Sequence, residues 1–281
     1  MKERQIALLE IHVAVLLFGV AGLFGKWLDL QATTIVWGRA SFGSLFLIGL
    51  MMVQGQSLRL ERQGELWKFL LSGVVLAFHW VAFFRSIQLS TVGIGLLTVS
   101  SFPLFTSLLE PIVLRASWTW KPLILSALVL TGVYWVIPEL EWDSAYAQGA
   151  IWGLLSGASF AGLALFNRKQ VQAYSAQKLA AWQNGVAGLC LLPFLTWESR
   201  LPTAEEWGLL LLLGVVFTGL SHTLFIKGMK QVFASTASLI AGLEPVYGIL
   251  LAWWWLGESP GWNLLIGGSL IVGAGIWASR G

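Results

Sequence analysis

Charge is scarce in this sequence. Only 11% of its 281 residues are Asp, Glu, Lys or Arg, against about 25% in an ordinary soluble domain. So few charges could not cover the surface of a soluble fold of this length, and a water-soluble globular protein is excluded. Cysteine is nearly missing. Cys190 stands alone in the apolar run 186–192, supports neither a disulfide framework nor a metal site, and reads as a small buried hydrophobe. The three histidines form no metal-binding motif, and neither a nucleophile elbow nor a phosphate loop is present. An enzyme is therefore not expected, nor is a cofactor. The 17 basic residues, despite a net charge of +3, are dispersed through short connections and build no patch for nucleic acid. No connection is long enough to hold a nucleotide-binding domain, which excludes ATP-driven transport within this chain.

Apolar and aromatic residues fill the space left by charge: 57% are hydrophobic, 17 are Trp and 16 Phe, and mean hydropathy is +0.75. A spanning helix needs about 20 apolar residues. Apolar runs between polar breaks give ten predicted spans, at 5–27, 32–54, 66–88, 91–114, 119–137, 147–167, 176–197, 206–227, 234–256 and 260–279. Turn formers such as Gln54-Gly55-Gln56 and Glu258-Ser259-Pro260 join them. The first run follows Lys2 and Arg4 as a signal peptide would, but it continues to Trp27 and carries Glu10 and His12. It is expected to remain as a span. Trp67, Trp118, Trp142 and Trp207 fall near span ends, where Trp anchors helices at the membrane interface.

Orientation follows from counting bases. With the N-terminus inside, Lys2, Arg4, Arg59, Arg62, Lys68, Arg115, Lys121, Arg168, Lys169, Lys178, Lys227, Lys230 and Arg280 are cytoplasmic. Lys26, Arg85 and Arg200 lie on the other side, and Arg39 is within a span. This is the positive-inside asymmetry, so both termini are expected in the cytoplasm of a multi-pass protein of the bacterial inner membrane.

The two halves can be laid on each other. A shift of 142 residues pairs Arg85 with Lys227, Pro103 with Pro245, Trp120 with Trp262 and Trp135 with Trp277, while 71–75 meets 212–216 at a shift of 141. Each half has five spans, an odd number, so the second half must run inverted. The expected fold is an all-α membrane protein of ten transmembrane helices: two inverted five-helix repeats, 1–140 and 145–281, around a central cavity. Inverted repeats recur in alternating-access transporters, with the site near the bilayer midplane. A duplication without transport, a channel and a lipid-handling protein are the competing readings. A channel calls for a re-entrant filter or a charged ring, and no connection is suited to one.

The segment Gly242–Glu258 (GLEPVYGILLAWWWLGE) resembles the ninth-span signature of EamA-type carriers of the drug/metabolite transporter superfamily. Phe18-Gly19 and Lys26, Arg39, and Pro103 within Ser101–Phe105 agree with it. The sequence departs from the family at Leu114-Arg115-Ala116, where Gly-Glu is common, and in an additional Glu110-Pro111. The resemblance implies export of small metabolites, commonly amino acids, from a central cavity, with spans 5 and 10 peripheral. Aromatic content and histidines are most similar to the YddG-type amino-acid exporters. A drug or nucleotide-related metabolite is the alternative substrate, and a monomer or a homodimer the expected state.

An ionisable group inside a span costs about 2.5–3.5 kcal/mol on insertion scales, so such residues mark a cavity or a partner. Glu10, His12, Arg39, His79, Arg85, Glu110, His222 and Glu244 are the candidates. Glu244 precedes Pro245, which frees a carbonyl four residues back; it is read as a substrate-amine or proton site, or as a lock between helices. His79, followed by Trp80, and His222 are near-equivalent under the 142 shift, and imidazole titrates near neutrality. Arg39 is a salt bridge within the bundle or a clamp for a carboxylate. Trp182, Gln183 and Asn184 mid-span, with Tyr247 on span 9, are expected at the cavity. Ser100, Ser101, Ser156 and Ser159 supply hydroxyls, or return them to their own helices. Pro103 and Pro245 are structural or gating positions. Gly153 and Gly157, with Gly267, Gly268, Gly273 and Gly275, predict close helix contacts.

Overall fold

The computed structural model describes residues 2–61, 63–114, 120–137, 141, 143–197, 200–232, 237 and 240–278. All regular structure among them is helical. The helices are α1 Lys2–Trp27, α2 Ala32–Val53, α3 Leu66–Leu89, α4 Val92–Val99, α5 Phe102–Leu114, α6 Lys121–Val136, α7 Ala145–Gln170 and α8 Ala176–Leu191. They continue with α9 Ala204–Gly214, α10 Ser221–Gly228, α11 Glu244–Leu256 and α12 Trp262–Ala278. Among the described residues, six segments are long and apolar enough to cross a membrane: Glu3–Trp27, Ala32–Val53, Leu66–Leu89, Ala145–Gln170, Ala176–Thr196 and Ala204–Gly228. Val92–Thr106, Ile124–Val136 and Trp262–Trp277 are shorter and apolar.

Local chemistry sets the boundaries. Thr91, Ser144, Ser175 and Thr203 cap α4, α7, α8 and α9 by accepting from backbone N–H groups, and Glu206 returns the bond to Thr203. These side chains satisfy donors that a helix start leaves unpaired. Gly257, at φ 70°, ends α11 in the left-handed conformation.

Four expected spans are not uniform α-helices. The span at 91–114 breaks at Ser100–Ser101 and restarts at Phe102. The described part of the span at 234–256 turns at Gly242–Leu243 and restarts at Glu244. Pro103 and Pro245 thus sit in first turns, where a missing N–H costs nothing, instead of kinking a continuous helix. The two breaks are related by the 142 shift. The third irregularity is a π turn at Val215–Leu220 that joins α9 to α10. Near Pro193, α8 passes into a 3₁₀ stretch, Leu192–Trp197.

The halves interleave. Helix α1 packs on α10 and α11, α2 on α8 and α9, α3 on α7 and α8, and α4 on α7 and α11. Gly153 and Gly157 are the contact between α7 and the break after α4. An added Cβ would overlap Thr98 Oγ1 at Gly153 and crowd Val99 O and Ser101 Oγ at Gly157. Helices α6 and α12 pair through Gly132 and Gly267. Gly268 meets Leu97 and Gly275 meets Pro103, but Gly273 faces open space, against expectation. Cys190 is only half-buried. Trp67 is exposed, and Trp118 and Trp142 lie outside the described residues.

Two apolar clusters occupy opposite ends of the bundle. One gathers Phe24, Leu28, Leu30, Phe84 and Ile87. The other gathers Ile11, Met51, Leu60, Phe69, Phe225 and Met229. Polar rims lie beyond each. At the second end, Lys178 bonds the Arg59 carbonyl and Glu61, and Arg168 bonds the Met229 carbonyl. The Lys178 ammonium holds the Glu61 carboxyl below the usual carboxylate range. At the first end, Arg200 grips Glu206 with both guanidinium nitrogens, each at 2.7 Å.

Candidate functional site

Between the two clusters the helices leave a narrow pocket. Its ionisable lining comes from four helices: Arg39 of α2, His79 of α3, His222 of α10 and Glu244 of α11. Its apolar wall is Phe18 and Ala21 of α1, Leu76, Trp80 and Phe83 of α3, Val99, Phe102 and Phe160.

Arg39 is 3% exposed. Its Nε donates to Thr218 Oγ1 at 2.9 Å and an Nη to the Phe217 carbonyl at 3.4 Å. The guanidinium lies 4.1 Å from the Trp80 ring centroid and 5.3 Å from that of Phe84. No carboxylate ion-pairs with it among the described residues. The internal salt bridge favoured from sequence is therefore replaced by an aromatic face and a polar turn. Both polar partners belong to the π turn, whose wider i→i+5 spacing loosens local backbone pairing. Thr218 bridges the defect by donating from the same hydroxyl to the Leu213 carbonyl at 2.8 Å.

His79 is held by α7. Its Nδ1 lies 3.0 Å from the Ser156 carbonyl and 2.8 Å from Ser156 Oγ, while Ser156 Oγ donates to the His79 carbonyl at 2.9 Å. Either tautomer satisfies Nδ1: protonated, it donates to the Ser156 carbonyl, and unprotonated, it accepts from the Ser156 hydroxyl. The ring stacks on Phe160 with centroids 5.0 Å apart. His222 meets Trp80 edge-on at 5.8 Å, and its Nδ1 is 3.4 Å from Asn184 Nδ2. Trp80 therefore contacts both Arg39 and His222.

Glu244 begins α11 where Gly19 of α1 comes closest: a Cβ on Gly19 would lie 3.0 Å from Tyr247 Cβ and 3.2 Å from the Glu244 carbonyl. Among the described residues its carboxylate has no hydrogen-bond or ion-pair partner, so the lock between helices is not what the structure contains. The pocket volume is about 50 Å³. That is room for a few waters, at roughly 10–15 Å³ each, and a metabolite requires its walls to part.

Of the residues expected at the cavity, Arg39, His79, Trp80, His222 and Glu244 line one pocket. Asn184 reaches it through His222, donating also to the Ala180 carbonyl, and its Oδ1 is buried without a partner. Gln183 is fully buried and donates to Asn167 Oδ1 at 2.7 Å. Trp182 points elsewhere, donating to the Leu58 carbonyl at 3.0 Å within the second apolar cluster. Helical spacing turns successive side chains by about 100°, so 182 and 184 lie about 200° apart and cannot share one face. Ser101 returns its hydroxyl to the Thr98 carbonyl at 2.6 Å, and Ser100 caps α4. Ser159 bonds the Ser156 carbonyl. Tyr247 packs beside Gly19, outside the lining. Glu10 pairs with Lys227, His12 is exposed, and Arg85 lines a separate recess with Lys26 and Arg200. The Glu110 side chain lies outside the described residues.

The aromatic wall of Phe160 and the Thr218 cradle were not anticipated. A signal for the cradle exists. The repeat changes its shift from 141 to 142 between 75 and 85, so the second half holds one more residue between 216 and 227. A π turn accommodates one additional residue within a helix, and it lies at this place.

Several known transporters are similar to this chain. The pseudopaline exporter of Pseudomonas aeruginosa is 28% identical over 89% of this chain and 87% of its own length. A transporter of Archaeoglobus fulgidus is 25% identical, covering 96% and 95%. The biotin transporter of Escherichia coli is 24% identical, covering 86% and 81%. A solved crystal structure shares the fold, with a TM-score of 0.71 at 19% identity over 98% of both chains. The profile of the EamA-like transporter family matches twice, over residues 5–137 and 147–280, and the chain belongs to that family.

Proposed function

We propose that this transporter exports amino acids or related small carboxylate-bearing metabolites across the bacterial cytoplasmic membrane, by alternating access between two inverted five-helix repeats. The observation that carries the reading is the placement of an arginine and a glutamate in one pocket. Arg39 and Glu244 come from different halves and face the same space between two apolar clusters. A zwitterion presents a carboxylate and an ammonium. Arg39 offers a planar fork for the first, and the unpartnered Glu244 offers an acceptor for the second. Trp80, Phe18, Phe83 and Phe160 offer apolar faces to a side chain. The two clusters support alternating access: parting either one would open the pocket to one face of the membrane while the other still seals it.

A biotin transporter among the relatives supports a carboxylate-bearing substrate, because biotin ends in a carboxyl group. The likeness to YddG-type exporters favours neutral or aromatic amino acids within that class. His79 and His222 then line the substrate's path, and Pro103 and Pro245 begin the helices that move. The asymmetry of the basic residues counted above supports termini in the cytoplasm.

Liposomes carrying the purified protein test the reading. Labelled amino acids, biotin and a cationic drug are offered separately, with and without a pH gradient. Saturable flux of an amino acid or biotin is expected, and Arg39→Lys, which keeps charge but loses the fork, should raise the half-saturation concentration at least tenfold. Flux of the cationic drug alone would overturn the carboxylate assignment.

A further inference from the structure

A second crevice lies between α3 and α7, with a volume of about 340 Å³. Leu71, Val75, Leu163 and Phe166 make its walls. Gly162 lies at its lining and has nothing within 4 Å of an added Cβ. Lys68, in the first turn of α3, and Lys169, in the last turn of α7, line its mouth beside the exposed Trp67. An apolar slot in a membrane-spanning bundle is filled by hydrocarbon. Two ammonium groups where the helices leave the membrane are a different matter, because they stand at headgroup depth and attract anionic lipid.

The two lysines are not equivalent. Lys68 is 2.9 Å from Glu65, which also accepts from the Tyr174 hydroxyl. Lys169 is exposed and has no hydrogen-bond or ion-pair partner among the described residues. Arg168, next in sequence, is turned to the Met229 carbonyl. Glu65 offsets Lys68, which leaves the charge of Lys169 unanswered at the mouth of an apolar slot.

We propose that this crevice is a binding site for an anionic phospholipid, with an acyl chain between Leu71, Val75, Leu163 and Phe166 and the phosphate against Lys169 and Lys68. The site is independent of the substrate and of which membrane face the lysines occupy. It joins α3, which carries His79, to α7, which carries Ser156 and Phe160, so a bound lipid clamps the two helices that fix the His79 ring.

The full chain is delipidated in detergent and mixed with equal amounts of phosphatidylglycerol and phosphatidylcholine of matched acyl chains. Native mass spectrometry then counts bound lipid. Phosphatidylglycerol should be retained several-fold over phosphatidylcholine. Lys169→Gln should lower phosphatidylglycerol retention roughly fivefold, the worth of one lysine near a charged headgroup, and leave phosphatidylcholine unchanged. Gly162→Phe should displace both, because its side chain starts from open space in the lining of the slot. Lys169 is a surface residue, so its variant decides the question even where Gly162→Phe folds poorly. Equal retention of the two lipids, or unchanged selectivity in Lys169→Gln, would overturn the proposal. So would displacement of the lipid by millimolar glycerol phosphate, which would make this a site for a free anion.

Discussion

Thr218→Val isolates the cradle of Arg39. Valine matches threonine in shape and removes only the hydroxyl. In the structure that hydroxyl accepts from Arg39 Nε and donates to the Leu213 carbonyl. A hydrogen bond to a charged group contributes about 1.5–3 kcal/mol, and a neutral one within a membrane about 0.6 kcal/mol. The substitution should therefore lower unfolding free energy by about 2–3.5 kcal/mol. The contact of Arg39 with the Trp80 face survives, worth about 2 kcal/mol when desolvated, so the protein still folds. Thr218→Ser keeps the hydroxyl and should cost less than about 1 kcal/mol. Reversible unfolding in mixed micelles, with wild type, Thr218→Val and Thr218→Ser side by side, measures the difference. Equal stability of the valine and serine variants would refute the view that Thr218 holds the guanidinium.

Glu244→Gln should reduce substrate flux at least tenfold in liposomes while changing unfolding free energy by less than about 0.5 kcal/mol, because no partner in the structure loses a bond; an equal fall in both would mean a structural role. Ser156→Ala should cost about 1–3 kcal/mol, the range for leaving buried groups unsatisfied, and should lower flux through a loosened His79 ring. Gly153→Ala should destabilise by about 1–3 kcal/mol through overpacking against Thr98, whereas Gly162→Ala in the same helix should be within about 0.5 kcal/mol of wild type. Thermal or denaturant unfolding separates that pair, and similar losses at both glycines would show that small-residue packing on α7 is not specific to the break beside α4.

Much of this arrangement is legible in the residues themselves. Scarcity of charge gives the membrane, and the costly ions within spans give four of the pocket's lining residues, Arg39, His79, His222 and Glu244. The two prolines mark the places where helices interrupt, because a residue without an N–H fits a first turn and little else. That they open new helices, instead of bending old ones, depends on Ser100–Ser101 and Gly242–Leu243 leaving helical geometry, which no single residue there dictates. The partner of Arg39 was misread for a different reason. A guanidinium can be satisfied by an aromatic face and carbonyls as well as by an acid, and only the packing of α2 against α3 and α9 decides between them. Trp182 was misplaced by one step of the helix, a rotation invisible to composition. The π turn is the opposite case: a single-residue change in repeat spacing records it, while hydropathy passes over it.

That single residue has a consequence for direction. Two copies of one unit, set against each other, would exchange roles at equal cost, and the open states toward either side of the bilayer would be mirror images in energy. Here one copy carries a longer turn, and the turn holds Arg39. The exchange is no longer between equals. On the alternating-access reading proposed above, a turn that holds Arg39 in one half only makes the two open states unequal in energy before any gradient is applied, a bias that a perfectly duplicated sequence would lack.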